Sequence, residues 1–150
     1  MSVVGYGAEV DAPPEGVWAV VADPWNLPNW ERHIVAIEGV PAGGLEQGAG
    51  YTAVVRFMGI RTAVRCRVLE WDPPTWALIL LSGILEAAVA TRIDPLPGGR
   101  SRLRHEVDYH FRRNHLGELA AKSIRVVGGA HLVLRHGTLA QKRQIESGSS

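Results

Sequence analysis

The chain has 150 residues, a formal net charge of +1, and 46% apolar against 21% charged residues, which fits one domain and excludes disorder for its bulk. The near-neutral balance lacks the basic excess behind sequence-independent nucleic-acid binding, so neither DNA nor RNA is an expected partner. The strongest apolar run, Trp76 to Leu81, is far too short to span a bilayer, and no membrane insertion is expected.

The single cysteine, Cys66, cannot close an intramolecular disulfide, and the first residues lack the charged start and apolar stretch of an export signal. A cytoplasmic location is therefore expected.

In chain order, Val3 to Val10 is extended in character. Asp11-Ala12-Pro13-Pro14 then stops the strand and opens a helix, because proline suits a first helical turn. Val17, Val20 and Val21 form that helix's apolar face, and the stretch Asp23 to Trp30 breaks it and starts a second short helix ending near His33. From Ile34 to Phe111 the period changes to alternation punctuated by turn signals, which predicts six antiparallel strands. The last is the clearest: Leu103, His105, Val107, Tyr109 and Phe111 share one face, opposite Arg102, Arg104, Glu106, Asp108 and His110. Trp76 to Leu81 is apolar on both faces, so its outer side is expected to be covered, a homodimer being one way. After Asn114 the chain reads as helical to about Glu146, roughly 45 Å at 1.5 Å per residue. Gly128 and Gly129 permit a bend in it. One domain over 1–146 with a flexible tail over 147–150 is the expected organisation.

A strand, two short helices, six antiparallel strands and a long terminal helix is the element order of the helix-grip fold. Four landmarks, Asp11-Ala12-Pro13-Pro14-Glu15-Gly16-Val17-Trp18, Pro28-Asn29-Trp30, Gly48-Ala49-Gly50 and Glu70-Trp71-Asp72-Pro73-Pro74, resemble the polyketide cyclase/dehydrase branch of the SRPBCC, or START-like, superfamily. The resemblance implies an α+β fold in which a seven-stranded curved antiparallel sheet wraps a long C-terminal helix around a largely apolar cavity. It also implies a hydrophobic small molecule as partner. The expected wall is Tyr6, Tyr51, Phe57, Val64, Cys66, Trp76, Leu78, Val89, His105, Val107, Tyr109, Val127, His131 and Leu134, with Trp30 near the mouth.

His105 and Tyr109 are the best acid/base candidates, because an imidazole titrates near neutrality and a phenol donates to a carbonyl. Tyr6, on the first strand, is the alternative donor. Four residues along a strand separate His105 from Tyr109 by roughly 13 Å, so the two either bracket a substrate or each use a different neighbour. Cys66 has no base within reach and reads as a small buried hydrophobe. His105 and His110 fall on opposite strand faces and no HExxH motif occurs, so no metal is expected. The paired glycines lie between strands with no helix following, so no nucleotide or other cofactor is expected either. Two functions share such a cavity. One is a cofactor-independent cyclase or dehydratase of bacterial secondary metabolism, closing rings on a polyketide-derived chain. The other is a non-catalytic carrier of a lipid or polyketide.

Overall fold

The computed structural model describes residues 2–126 and 128–148. The chain runs β1 (Ser2–Val10), α1 (Pro14–Val21), a 3₁₀ turn (Pro24–Asn26), α2 (Leu27–Trp30), β2 (Ile34–Glu38), β3 (Gly50–Phe57), β4 (Ile60–Asp72), β5 (Trp76–Ser82), β6 (Leu85–Leu96), β7 (Arg100–Phe111), α3 (His115–Val126) and α4 (Ala130–Gly148). Strands β2 to β7 form a meander and β1 closes on β7, giving a seven-stranded antiparallel sheet ordered β1-β7-β6-β5-β4-β3-β2. The short helices between β1 and β2 thus carry the chain from one sheet edge to the other.

Alternation fails at one informative place. Pairing of β4 with β5 shifts between Val68 and Glu70, leaving Leu69 43% exposed. Such a bulge bends its strand and reverses the side-chain parity beyond it. Val64, Cys66 and Val68 are buried before the shift, and Trp71 turns to the concave side after it.

Helix α4 is clamped over β1. The Lys142 ammonium donates to the Glu9 carbonyl (2.8 Å) and the Asp11 amide donates to the Glu146 carboxylate (3.0 Å). The expected single rod is in fact two helices. Gly128 and Gly129 both take left-handed φ values (104° and 93°). The Gly129 amide donates to the Ile124 carbonyl and the Gly128 amide to that of Arg125, a double closure that ends a helix instead of bending it. Of the expected tail, Ser147 and Gly148 are helical and residues 149–150 lie outside the described residues. A Cβ on Gly128 would meet the Leu132 side chain as well as the wrong φ, so Gly128→Ala is expected to cost about 1–2 kcal/mol. Urea unfolding at unchanged m-value measures it.

Buried apolar clusters close both ends, and a third, Ile37, Tyr51, Ala53 and Cys66, lines β2 to β4 between them. Val10, Val17, Ile93 and Leu103 close one end with Ile145 of α4. Val55, Phe57, Val64 and Ile84 close the other with Ala120 of α3. In the middle α4 presents Leu134, Thr138 and Gln141 to the cavity, while Gly137 faces α2, where a Cβ would meet the Trp30 carbonyl oxygen at 3.4 Å. Short or polar side chains cannot fill the concavity of a curved sheet, and a hollow results.

Candidate functional site

The hollow has a volume of about 340 Å³, inside the range of small-molecule sites. Its sheet wall comprises inward residues of all seven strands, among them Val4, Tyr51, Val64, Ile79, Val89 and Val107; Trp18 and Val21 of α1, Pro24 of the 3₁₀ turn, and residues of α2, α3 and α4 complete it. Trp30, Phe57, His105, Tyr109 and Leu134 also line it, as the sequence leads one to expect.

Four expected wall residues lie elsewhere. Trp76 and Leu78 are on the convex face, because Ala77, Ile79 and Leu81 are the inward set of β5. A strand apolar on both sides carries no phase, and register settles it: Ala77 pairs with Thr91, which pairs with His105. The Trp76 indole is instead covered by Arg92, whose guanidinium carbon sits 5.0 Å from the ring centroid, and donates to the Glu70 carboxylate (3.4 Å). Leu80, on the same convex face, is 37% exposed. Tyr6 stands directly opposite His105 on β1, but α4 covers β1, and Tyr6 packs edge-on against His131 at 6.1 Å in that seam. Neither Tyr6 nor His131 contributes to the cavity wall, and His131 is largely exposed. Val127 lies outside the described residues.

A short polar chain crosses the apolar wall. His105 is buried on β7, with the Thr91 hydroxyl of β6 2.8 Å from Nδ1 and Gln141 Oε1 of α4 2.7 Å from Nε2. A carboxamide oxygen can only accept, so Nε2 carries the proton and Nδ1 accepts from Thr91. Burial pushes the imidazole below its usual range, against a smaller upward effect of the Gln141 bond. The ring is therefore neutral at pH 7. Neither Thr91 nor Gln141 was legible in advance: each is a polar residue in an apolar period, and only cross-strand register and the seating of α4 bring them to His105.

The Tyr109 ring lines the cavity and meets Phe111 edge-on at 5.9 Å. Its hydroxyl has no hydrogen-bond partner among the described residues, which leaves it free to donate to a guest. Tyr51 and Cys66 face each other across β3 and β4. Burial, reinforced by the neighbouring Cys66, holds the Tyr51 phenol far above its ordinary value. Burial pushes the Cys66 thiol up to about 11, so it stays protonated and unreactive at neutral pH. A disulfide reagent at pH 8 should modify Cys66 at least about 100-fold faster in guanidinium than in the native protein; comparable rates would refute its burial as thiol.

One further pair was not foreseen. His33, buried just before β2, places Nδ1 2.8 Å from Glu31 Oε1 and donates its amide to Glu31 Oε2 (2.9 Å), while its ring stacks on Phe57 at 4.9 Å. Glu31 lines the cavity beside Trp30, whose indole donates to Gln144 Oε1 (2.8 Å).

A family model described as polyketide cyclase / dehydrase and lipid transport matches residues 2–132. The chain belongs to this family. Two uncharacterised proteins from strains of Mycobacterium tuberculosis are each 30% identical to it over 131 residues, covering 83% of this chain and 90% of theirs. Among solved structures, the Zhui aromatase/cyclase of Streptomyces sp. R1128 superposes with a TM-score of 0.75 at 16% identity, over 99% of this chain and 96% of that one. A START superfamily protein of Mycobacterium smegmatis gives 0.73 at 18%, over 98% and 99%. At such identities the neighbours establish the helix-grip, START-like fold of this polyketide cyclase/dehydrase family member, and its chemistry rests on its own cavity. Among the described residues no helix is long and apolar enough to cross a membrane.

Proposed function

We propose that this protein is a small cofactor-independent cyclase or dehydratase of bacterial secondary metabolism, acting in the cytoplasm on a short, hydrophobic, polyketide-derived chain. The observation that carries the reading is the neutral Thr91–His105–Gln141 chain set into an otherwise apolar cavity wall. Apolar walls fold a flexible chain so that its reacting carbons meet, and such positioning is worth about 7–11 kcal/mol of barrier.

The polar chain supplies the proton transfer. As the Thr91 hydroxyl takes a proton from the acidic carbon between two carbonyls, it passes its own to His105 Nδ1. The imidazolium that forms is held at both nitrogens, by Thr91 Oγ1 and by Gln141 Oε1, so no donor is left unpaired. The resulting carbanion attacks a second carbonyl, whose developing alkoxide receives the Tyr109 hydroxyl as donor. That alkoxide takes up one proton, matching the one left on the ring, and the net change is an isomerisation; loss of water then gives the dehydrated ring.

The carrier reading is supported by the saturation of both His105 nitrogens within the protein. Incubation with a short poly-β-keto thioester, followed by mass analysis, separates the two. A cyclic isomer or its dehydrated product supports the enzyme, and a bound compound recovered unchanged supports the carrier. The convex Leu78 and Leu80 support a homodimer through that face, and a sedimenting monomer at micromolar concentration would overturn it.

A further inference from the structure

The formal charge of +1 conceals a difference between the two ends of the molecule. At one end the tip of the β3–β4 hairpin, the last residues of β7 and helix α3 meet, held by an apolar cluster that includes Phe57, Phe111, Leu116 and Ile124. Arg56, Arg61, Arg112, Arg113, Lys122 and Arg125 are all exposed there. Of these only Arg112 forms an ion pair among the described residues, with Glu86 at 2.8 Å. Two further carboxylates, Glu118 on α3 and the half-buried Asp108 on β7, leave the cations in excess. At the opposite end the balance is met inside the protein, where Glu9, Asp11 and Glu146 pair with Arg100, Arg102 and Lys142.

The hairpin tip works against its own stability in two ways. Arg56 and Arg61 stand directly opposite each other in the β3–β4 register, and like charges so placed are destabilising. Between them Met58 takes a left-handed φ of 50°, a conformation that favours glycine or asparagine. Its side chain is 65% exposed and that of Ile60 42%, so neither contributes to the core. On α3 the same interleaving recurs, with Val126 77% exposed beside the exposed Arg125. Residues that break local rules without serving the fold mark a surface with another role.

We propose that this end docks on an anionic phospholipid surface, with Met58, Ile60 and Val126 entering the headgroup boundary and Arg56, Arg61, Arg113, Lys122 and Arg125 meeting lipid phosphates. A soluble polyanion would satisfy the cations and leave the apolar tips in water, whereas a membrane surface takes both. The attachment is peripheral, and the leaflet that faces the cytoplasm supplies the negative charge. Helix α3 then lies between the bilayer and the hollow: Ile124 lines the cavity while its neighbours Arg125 and Val126 face out. The proposal concerns where the protein sits and stands apart from the reaction assigned to the cavity.

The test is cosedimentation of the full-length protein with sucrose-loaded vesicles of phosphatidylcholine alone or of an equimolar mixture with phosphatidylglycerol. The mixed vesicles are expected to bind at least about tenfold tighter at low salt, with the preference shrinking as salt is raised. Lys122→Gln/Arg125→Gln should weaken binding to the mixed vesicles by roughly thirtyfold. Met58→Asn/Val126→Ser, whose first change suits the left-handed turn, should weaken it by about tenfold with the circular dichroism spectrum unchanged. Equal binding to both kinds of vesicle, or none to the mixed ones at low salt, would overturn the proposal. Weakening in the charge variant with none in the folded apolar variant would assign this end to a soluble polyanion and overturn the membrane.

Discussion

Val89→Trp is expected to weaken binding of a cavity ligand by at least about 100-fold while leaving the protein folded. Val89 sits on β6 between Ile79 of β5 and Val107 of β7, and all three line the hollow. In a close-packed core a larger side chain forces strain costing typically about 1–3 kcal/mol. Here the indole has empty volume ahead of it, so the stability loss should fall at or below the bottom of that range. A fluorescence titration with a neutral apolar probe, paired with thermal unfolding, checks both halves. Unchanged affinity in a folded variant would mean that the guest binds elsewhere.

Replacing His105 should be felt in rate and in pH response. His105→Ala is expected to slow ring closure by about a hundred- to ten-thousand-fold, and Tyr109→Phe by about a hundredfold, each with a smaller change in product affinity. Equal losses of rate and affinity at both positions would make them packing residues. Thermodynamic linkage offers an independent readout that needs no substrate. The His105 ring has its pKa lowered by burial in the folded state, against about 6.5 in the unfolded chain. Above about pH 6.5 neither state binds a proton there, and stability is insensitive to this group. Below it the unfolded chain takes up a proton that the folded one refuses, so stability falls with falling pH, by up to about 1.4 kcal/mol per pH unit, until the folded pKa is reached. His105→Gln should remove that portion of the acid sensitivity. An unaltered profile between pH 7.5 and 5 would show that the imidazole already binds its proton in the fold.

His105, Val107 and Tyr109 are legible as concave-side residues because β7 alternates cleanly between apolar and charged positions. The same rule misplaced Trp76 and Leu78, because β5 has no polar positions to mark its outer face; small Ala77 went inside and the large indole outside, under Arg92. Tyr6 has the right parity and still misses the cavity, since parity says which face a side chain takes and not what covers that face. The helix break at Gly128-Gly129 was visible as weakness, but whether paired glycines bend or stop a helix depends on the capping bonds back to Ile124 and Arg125.

Local chemistry alone determined the order of elements as far as the terminal helix, the meander and the dry face of most strands, and the landmark turns carried the resemblance to the family. Periodicity and turn residues act over a few positions, and they are written into the chain directly. The tertiary structure decided where the protein is hollow and which polar groups meet there. A void follows from the short or polar side chains, Thr138 and Gln141, that α4 places opposite the curved sheet, and the hydrogen-bonded trio of Thr91, His105 and Gln141 joins two strands and a helix. Both depend on long-range register and helix seating, which no local pattern encodes.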